Sequence, residues 1–458
     1  MLTFVLFTYR IAEWCERRFP MPIVVISDTT PGLKPALEAI FAPHGGIEAV
    51  IPKSGGTVYI KPNGIHFAPH TCTNPAVLEA LLAYLRDHGY TRLAVMEGCT
   101  AGNFTRLVFK ITGYADICRR YGAEPVYLDE GPTVEVDLRD GTRAHISRRL
   151  HEAIVCRGDN PSTGLGQSFY LSLPKLKTHS MAMVTLGVKN QQAFPVAADR
   201  MARHSHETLH LRLAALYALT RPDFCIVEGV TATAHGHFPS AALLKECLVP
   251  MNILIGGADT VAVDAVGARV MGYSVEEIEH LRLCAEWGLG EGNLARIDVQ
   301  GVPLSRFAQR LPHTLLRRFH PEVKWVIGRT RACVEGCRGN SECIQEMLYN
   351  DYHGKGGWTL VCGAGFNESD LDNLPGDILI VGPCACDEVG DRLRRRYPDR
   401  PIYRVAEHND LMTNTRYQAR LMGVTPVMMV PLNPLLSAMT LLQAKRHDLT
   451  ARVPPLLG

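Results

Sequence analysis

Short apolar runs alternate with amphipathic stretches along most of the chain, the pattern of strands and helices following one another in a parallel α/β protein. Ile23–Ser27, Val58–Lys61, Leu93–Glu97, Phe169–Leu173, Phe224–Glu228 and Asn252–Gly256 read as strands. Between them, Asp28-Thr29-Thr30-Pro31 reads as a helix start with its cap and N1 proline, and Asn74-Pro75 opens a helix through Arg86. Asp259–Met271 reads as a helix with Val and Ala on one face, and the polar, glycine-rich stretch Gly158–Gly166 as a loop. A break follows Gly301-Val302-Pro303. Beyond it, Asp377–Val381, Pro401–Val405 and Val427–Val430 read as strands, with helices at Glu388–Tyr397 and Asn409–Met422. The expected architecture is α/β: a main domain built on a parallel or mixed sheet with flanking helices, plus a smaller C-terminal α/β domain. The expected bounds are an N-terminal extension at 1–21, the main domain at 22–303, a linker at 304–332 and a cysteine-rich domain at 333–458.

Composition narrows the class. A chain of 458 residues, 46% apolar and 21% charged, is globular and long enough for more than one core. The formal charge of +2 gives no electrostatic case for a nucleic acid or a membrane surface as partner. The basic run Arg392–Arg396 reads as a solvated helix face. Residues 421–444 carry no charge and are long enough to span a bilayer. Pro426, Pro431 and Pro434 interrupt them, which favours a strand and then a helix. The apolar N-terminal stretch ends at Arg10 and lacks a basic start, so it is not read as a signal peptide. Fourteen cysteines without such a leader point to a reducing, cytoplasmic setting.

Several segments recur in a recognisable order: Lys61-Pro62-Asn63, then Thr73-Asn74-Pro75, then a strand ending in Glu97-Gly98. Leu173-Pro174-Lys175-Leu176-Lys177-Thr178-His179 follows, with Thr185-Leu186-Gly187-Val188-Lys189-Asn190 and finally Asp259-Thr260-Val261-Ala262-Val263-Asp264-Ala265. Over roughly residues 22–300 the chain resembles the domain-of-unknown-function family 362, a group often fused to iron–sulfur modules. The resemblance implies an iron–sulfur partner module and names no reaction. Where that family has a Gly-x-Gly-Pro turn, this chain has Ala234-His235-Gly236-His237-Phe238-Pro239, so a histidine replaces a glycine.

The motif residues also have a chemistry of their own. Lys61, Lys175, Lys177 and Lys189 fall at or just beyond predicted strand ends, where parallel sheets hold their ligands. Together they would bind a carboxylate or phosphate, unless some of them pair with nearby acids at the surface. We therefore expect Lys175, Lys177 and His179 to be catalytic, and Lys61, Asn63, Lys189 and Asn190 to bind substrate. Cations beside His179 would lower its pKa and favour a neutral base. Asp259 sits where a helix N-cap belongs, and Asp264 is placed to orient a lysine. Further histidines gather at His66 and His70, at His204, His206 and His210, and at His235 and His237; the spacing of His206 and His210 suits two metal ligands on one helix face. Lysines and histidines around strand ends are similar, at the level of fold, to the nickel-pincer lactate racemases.

The cysteines supply the second signal. Cys333, Cys337, Cys343, Cys362, Cys384 and Cys386 crowd into a short stretch, several of them beside glycines or at a predicted helix start. Such thiols are candidate metal ligands with lowered pKa values. The spacing matches neither bacterial ferredoxins nor paired zinc knuckles, so an iron–sulfur cluster is expected first and zinc second. The leading expectation is a redox or metal-dependent enzyme acting on a small anionic molecule, with a redox partner protein. The alternatives are a non-catalytic cluster carrier or maturation factor, and a racemase-like enzyme on a 2-hydroxy acid.

Overall fold

The computed structural model describes residues 21–53, 56–100, 102–156, 168–205, 207–307, 309–429 and 432–453. The expected loop at Gly158–Gly166 lies outside the described residues, as do His206 and nearly all of the expected N-terminal extension.

A ten-stranded mixed sheet forms the main unit. Its strands are β1 (Ile23–Asp28), β2 (Val58–Pro62), β3 (Leu93–Glu97), β4 (Glu124–Tyr127), β7 (Phe169–Leu173), β8 (Lys175–His179), β9 (Met183–Thr185), β10 (Phe224–Thr233), β11 (Leu248–Gly257) and β12 (Asp298–Gly301). The hairpin of β5 (Thr133–Asp137) and β6 (Arg143–Ser147) stands apart. The spatial order is β12-β1-β11-β10-β7-β2-β3-β4, with β8 beside β10 and β9 beside β8. β11 runs antiparallel to both β1 and β10, which makes the sheet mixed.

Both faces of this sheet are buried, which is why its strands read as continuous apolar runs instead of alternating ones. Successive side chains of a strand point to opposite faces. Thus Val24, Ile26, Ile253 and Ile255 pack on one side with the helix Thr260–Val270, while Val25 and Leu254 pack on the other against Leu33–Phe41 and Pro75–Asp87. Asp259 caps its helix as expected, accepting from Val261 N at 2.9 Å and Ala262 N at 3.1 Å. The first helix departs from expectation. It begins at Leu33 after Gly32 at φ 127°, and Asp28 instead accepts from Thr30 N in a turn at 2.9 Å. Asp28-Thr29-Thr30-Pro31 therefore closes a turn before the helix and does not cap it.

The smaller unit is a four-stranded parallel sheet in the order β13 (Lys324–Ile327), β14 (Thr359–Cys362), β15 (Ile378–Val381), β16 (Ile402–Val405). β13 lies within the stretch expected to be a linker, so the unit begins before Cys333. Helices Cys337–Tyr352 and Leu411–Met422 pack on one face through Ile344, Leu348, Ala419 and Met422. The helix Pro383–Arg396 covers the other through Ala385, Val389 and Leu393. This helix starts earlier than expected because Pro383 takes its first turn, where a missing N–H costs nothing. Residues Pro426–Met429 form a 3-10 turn where a strand was expected, and a helix follows at Pro434–Lys445. Among the described residues no helix is long and apolar enough to cross a membrane. The arginines of the basic run Arg392–Arg396 point outward from their helix while Leu393 packs inward, and Arg392 and Arg396 pair with Glu368.

Candidate functional site

The strand-end lysines divide into two pairs. Lys61 is fully buried and spoken for: its Nζ lies 2.8 Å from Glu97 and donates to Asn190 Oδ1 at 3.0 Å and to the Pro62 carbonyl at 3.2 Å. Lys175 pairs with Glu228 at 3.0 Å and donates to the Thr231 carbonyl at 2.9 Å. These two are internal ion pairs between strand ends, and neither side chain faces the cavity described below.

Lys177 and Lys189 do face it. Lys177 Nζ donates to the Thr71 carbonyl at 2.6 Å and has no carboxylate partner among the described residues. Lys189 sits in the short helix Gly187–Asn190, also without a carboxylate. Burial first, and neighbouring cations second, bring each lysine down to about 7 from 10.5; for Lys189 those cations are Arg200 and Lys61. Asp264 fixes the helix by accepting from Gly187 N and Val188 N, each at 2.7 Å. It orients Lys189 through the backbone, and burial raises its own pKa to about 7. Gly187 is required there, because a Cβ would fall 2.5 Å from Thr260 Cγ2 and 3.0 Å from the Asp264 carboxylate. Asn190 is consumed holding the floor together, donating to the Lys61 carbonyl at 3.2 Å and to Ser172 Oγ at 3.0 Å. Asn63 donates to Asn190 Oδ1 at 3.3 Å, and its own Oδ1 is buried with no partner among the described residues.

Three histidines complete the wall. His179 and His237 stack with ring centroids 3.8 Å apart and planes at 4°, and His204 lies 6.4 Å from His179. His179 Nδ1 accepts from Met181 N and Ala182 N, both at 3.2 Å. Burial above all, then the rings and lysines nearby, keeps the imidazole neutral. A neutral ring accepting at Nδ1 carries its proton on Nε2. His179 therefore offers the cavity an N–H, and the neutral base expected at this position is a neutral donor. His204 is the reverse. Its Nδ1 meets the Glu335 carbonyl at 2.6 Å and must donate, which leaves Nε2 as a lone pair. Burial lowers its pKa to about 4. His237 Nδ1 is buried without a partner among the described residues. His66 also borders the cavity, packed on Phe67 and Phe238, whereas His70 is structural and bonds the Pro239 carbonyl at 2.9 Å. His210 lies away from the cavity, 3.1 Å from His280.

These groups line a cavity of about 830 Å³ between the two α/β units. The main unit contributes Lys177, His179, Lys189, Arg200, His204 and His237. The opposite wall comes from the smaller unit, through Cys343 and Met347 on one helix, Met412 and Arg416 on another, and Tyr403. Arg200 carried no sequence signal, lying outside every motif. It is buried, donates to the Cys99 carbonyl at 2.6 Å and, like the two lysines, pairs with no carboxylate among the described residues.

The six C-terminal cysteines do not form one site. Cys362 and Cys386 sit on opposite faces of the small sheet, each in an apolar layer, and burial raises their thiols to about 12 and about 11. Cys343 faces the main unit, 3.7 Å from Ser180 Oγ, and burial raises it to about 12. These are neutral thiols at pH 7, contrary to the expectation of lowered values. Cys333, Cys337 and Cys384 gather at the C-terminal end of the small sheet, close enough for the other two to raise the Cys337 thiol, after burial. Cys337 Sγ accepts from Asn409 N at 3.4 Å and lies 3.8 Å from His408 Nδ1. The donor types suit a metal or cluster, yet among the described residues no three His, Cys, Asp or Glu side chains are arranged to hold a metal ion.

Residues 58–269 match the family described as domain of unknown function (DUF362). No curated protein matches the chain.

Proposed function

Since residues 58–269 form a DUF362 domain that carries the floor of this cavity, we propose that the protein is an enzyme acting on a small anionic substrate enclosed between its two α/β units. One observation carries the reading: Lys177, Lys189 and Arg200 face one cavity, and among the described residues none of them forms a direct ion pair with a carboxylate. Arg200 stays charged and the two lysines, at about 7, are charged for part of their population; an anion in the cavity offsets the cost of burying that charge. The lysines, at about 7, are also poised to give or take a proton near neutral pH. His179 contributes an N–H to the substrate and His204 a lone pair. The test is calorimetric titration of the full chain with small carboxylates and with inorganic phosphate. Binding that weakens at least about tenfold in R200Q supports the reading, since removing one partner of a buried charge pair costs 2–5 kcal/mol. No binding of any small anion overturns it.

A second reading is favoured by Cys333, Cys337 and Cys384 beside His408, whose Nδ1 lies 3.8 Å from Cys337 Sγ. In it, this end of the small sheet holds an iron–sulfur cluster, or zinc, which would supply electron transfer or structural bracing. Its proximity to the cavity runs through His204, bonded to the carbonyl of Glu335 between Cys333 and Cys337. Anaerobic purification followed by iron, zinc and sulfide analysis tests it. Metal that disappears in a C333S/C384S variant supports the reading, and metal-free wild-type protein removes it.

A further inference from the structure

We infer that Lys189 is a Schiff-base lysine and that the anion in the cavity is a 2-oxo acid; this rests on the anion-pocket reading above and narrows its substrate class. Lys189 differs from the other three motif lysines in its bonding. Lys61 and Lys175 are held in ion pairs, and Lys177 is held by the Thr71 carbonyl. Lys189 lines the cavity with no hydrogen bond or ion pair at its Nζ among the described residues, on a helix whose start is fixed by Asp264. An amine in that state is free to act as a nucleophile on a carbonyl carbon. Desolvation and the cations Arg200 and Lys61 keep a substantial share of it unprotonated near neutral pH.

The groups around it fit the rest of a 2-oxo acid. Arg200 supplies the cation for the carboxylate, with a guanidinium that stays charged and leaves the amine free. His179, lining the same cavity, carries its proton on Nε2 and so can donate to the carbonyl oxygen, because its Nδ1 is taken by two backbone N–H groups. In the step itself, the Nζ lone pair forms a bond to the carbonyl carbon while the C=O π pair moves to oxygen. The nitrogen then gives up its protons, the oxygen leaves as water, and a C=N bond replaces C=O. No oxidant or reductant takes part.

Pyruvate, the simplest 2-oxo acid, is the probe, with cyanoborohydride to reduce any imine and peptide mass spectrometry of the full chain to locate it. A neutral, enclosed amine should be labelled about tenfold or more over exposed lysines such as Lys34. Lactate keeps the carboxylate and lacks the carbonyl, so it should compete with the labelling and leave no adduct. K189R should abolish labelling while retaining the charge. The wild-type peptide map decides the matter even if that variant misfolds. Pyruvate that binds calorimetrically without labelling Lys189, or that labels Lys177 instead, overturns the Schiff base and leaves the anion pocket standing. Neither binding nor labelling overturns both.

Discussion

Lys177 and Lys189 give the cavity a pH signature. Each has a folded pKa of about 7 against an ordinary 10.5, so between those values the unfolded chain binds more protons than the folded one. Stability therefore rises with pH from about 7 to about 10.5, by at most about 1.4 kcal/mol per pH unit for each lysine. Thermal unfolding across that window, in a buffer free of small anions, should show the climb, and K177M/K189M should flatten it. His179, beside the lysines, carries a structural cost of its own. His179→Ala would leave Met181 N and Ala182 N buried and unpartnered, at about 1–3 kcal/mol. Denaturant unfolding measures that loss, which must be known before any activity change in the variant is read as catalysis. At this scale the sequence was half legible. It marked Lys177, His179 and Lys189 by their place after strands. It could not show that Lys61 and Lys175 were taken, since Glu97 and Glu228 are distant in sequence and meet them only across the sheet. Nor could it fix a tautomer, which depends on backbone N–H groups after a turn.

Among the elements, the helix Gly187–Asn190 has a single turn to position a reactive side chain, too little to be stable alone. It persists because Asp264, one turn into the helix Thr260–Val270, reaches across to its first two N–H groups. Asp264→Ala should cost on the order of 2–4 kcal/mol by denaturant unfolding, from two lost hydrogen bonds to a buried carboxyl. The same variant should weaken pyruvate binding more than a distant substitution of equal cost. Strands of the large sheet were readable because burial on both faces leaves unbroken apolar runs. Where local rules compete the reading failed: proline chemistry turned Pro426–Met429 into a 3-10 turn, and a glycine at positive φ delayed the first helix to Leu33. The split of the cysteines came from their placement on different elements, a strand and a helix. Cys362 ends a strand on one face, and Cys386 follows in a helix packed on the other.

For the whole molecule, the two units were legible as patterns, whereas the space between them was not, because it is made by contacts between distant segments. His204 is the joint. Its ring bonds the Glu335 carbonyl, and Asn409 Nδ2 of the smaller unit donates to the His204 carbonyl at 3.2 Å. Asn409 in turn sits beside Cys337. With one wall of the cavity on each unit, whatever fills it touches both, and occupancy and docking become a single equilibrium. A ligand that binds only the docked arrangement strengthens the docking by the same free energy with which docking strengthens its hold. The helix Leu411–Met422, remote from the lysines in sequence, should then exchange its amide hydrogens more slowly when pyruvate is bound, at concentrations that track the calorimetric affinity. Equal exchange with and without ligand would mean that the two walls close independently of what lies between them. The protein would then behave as a latch, with its cargo doing the fastening.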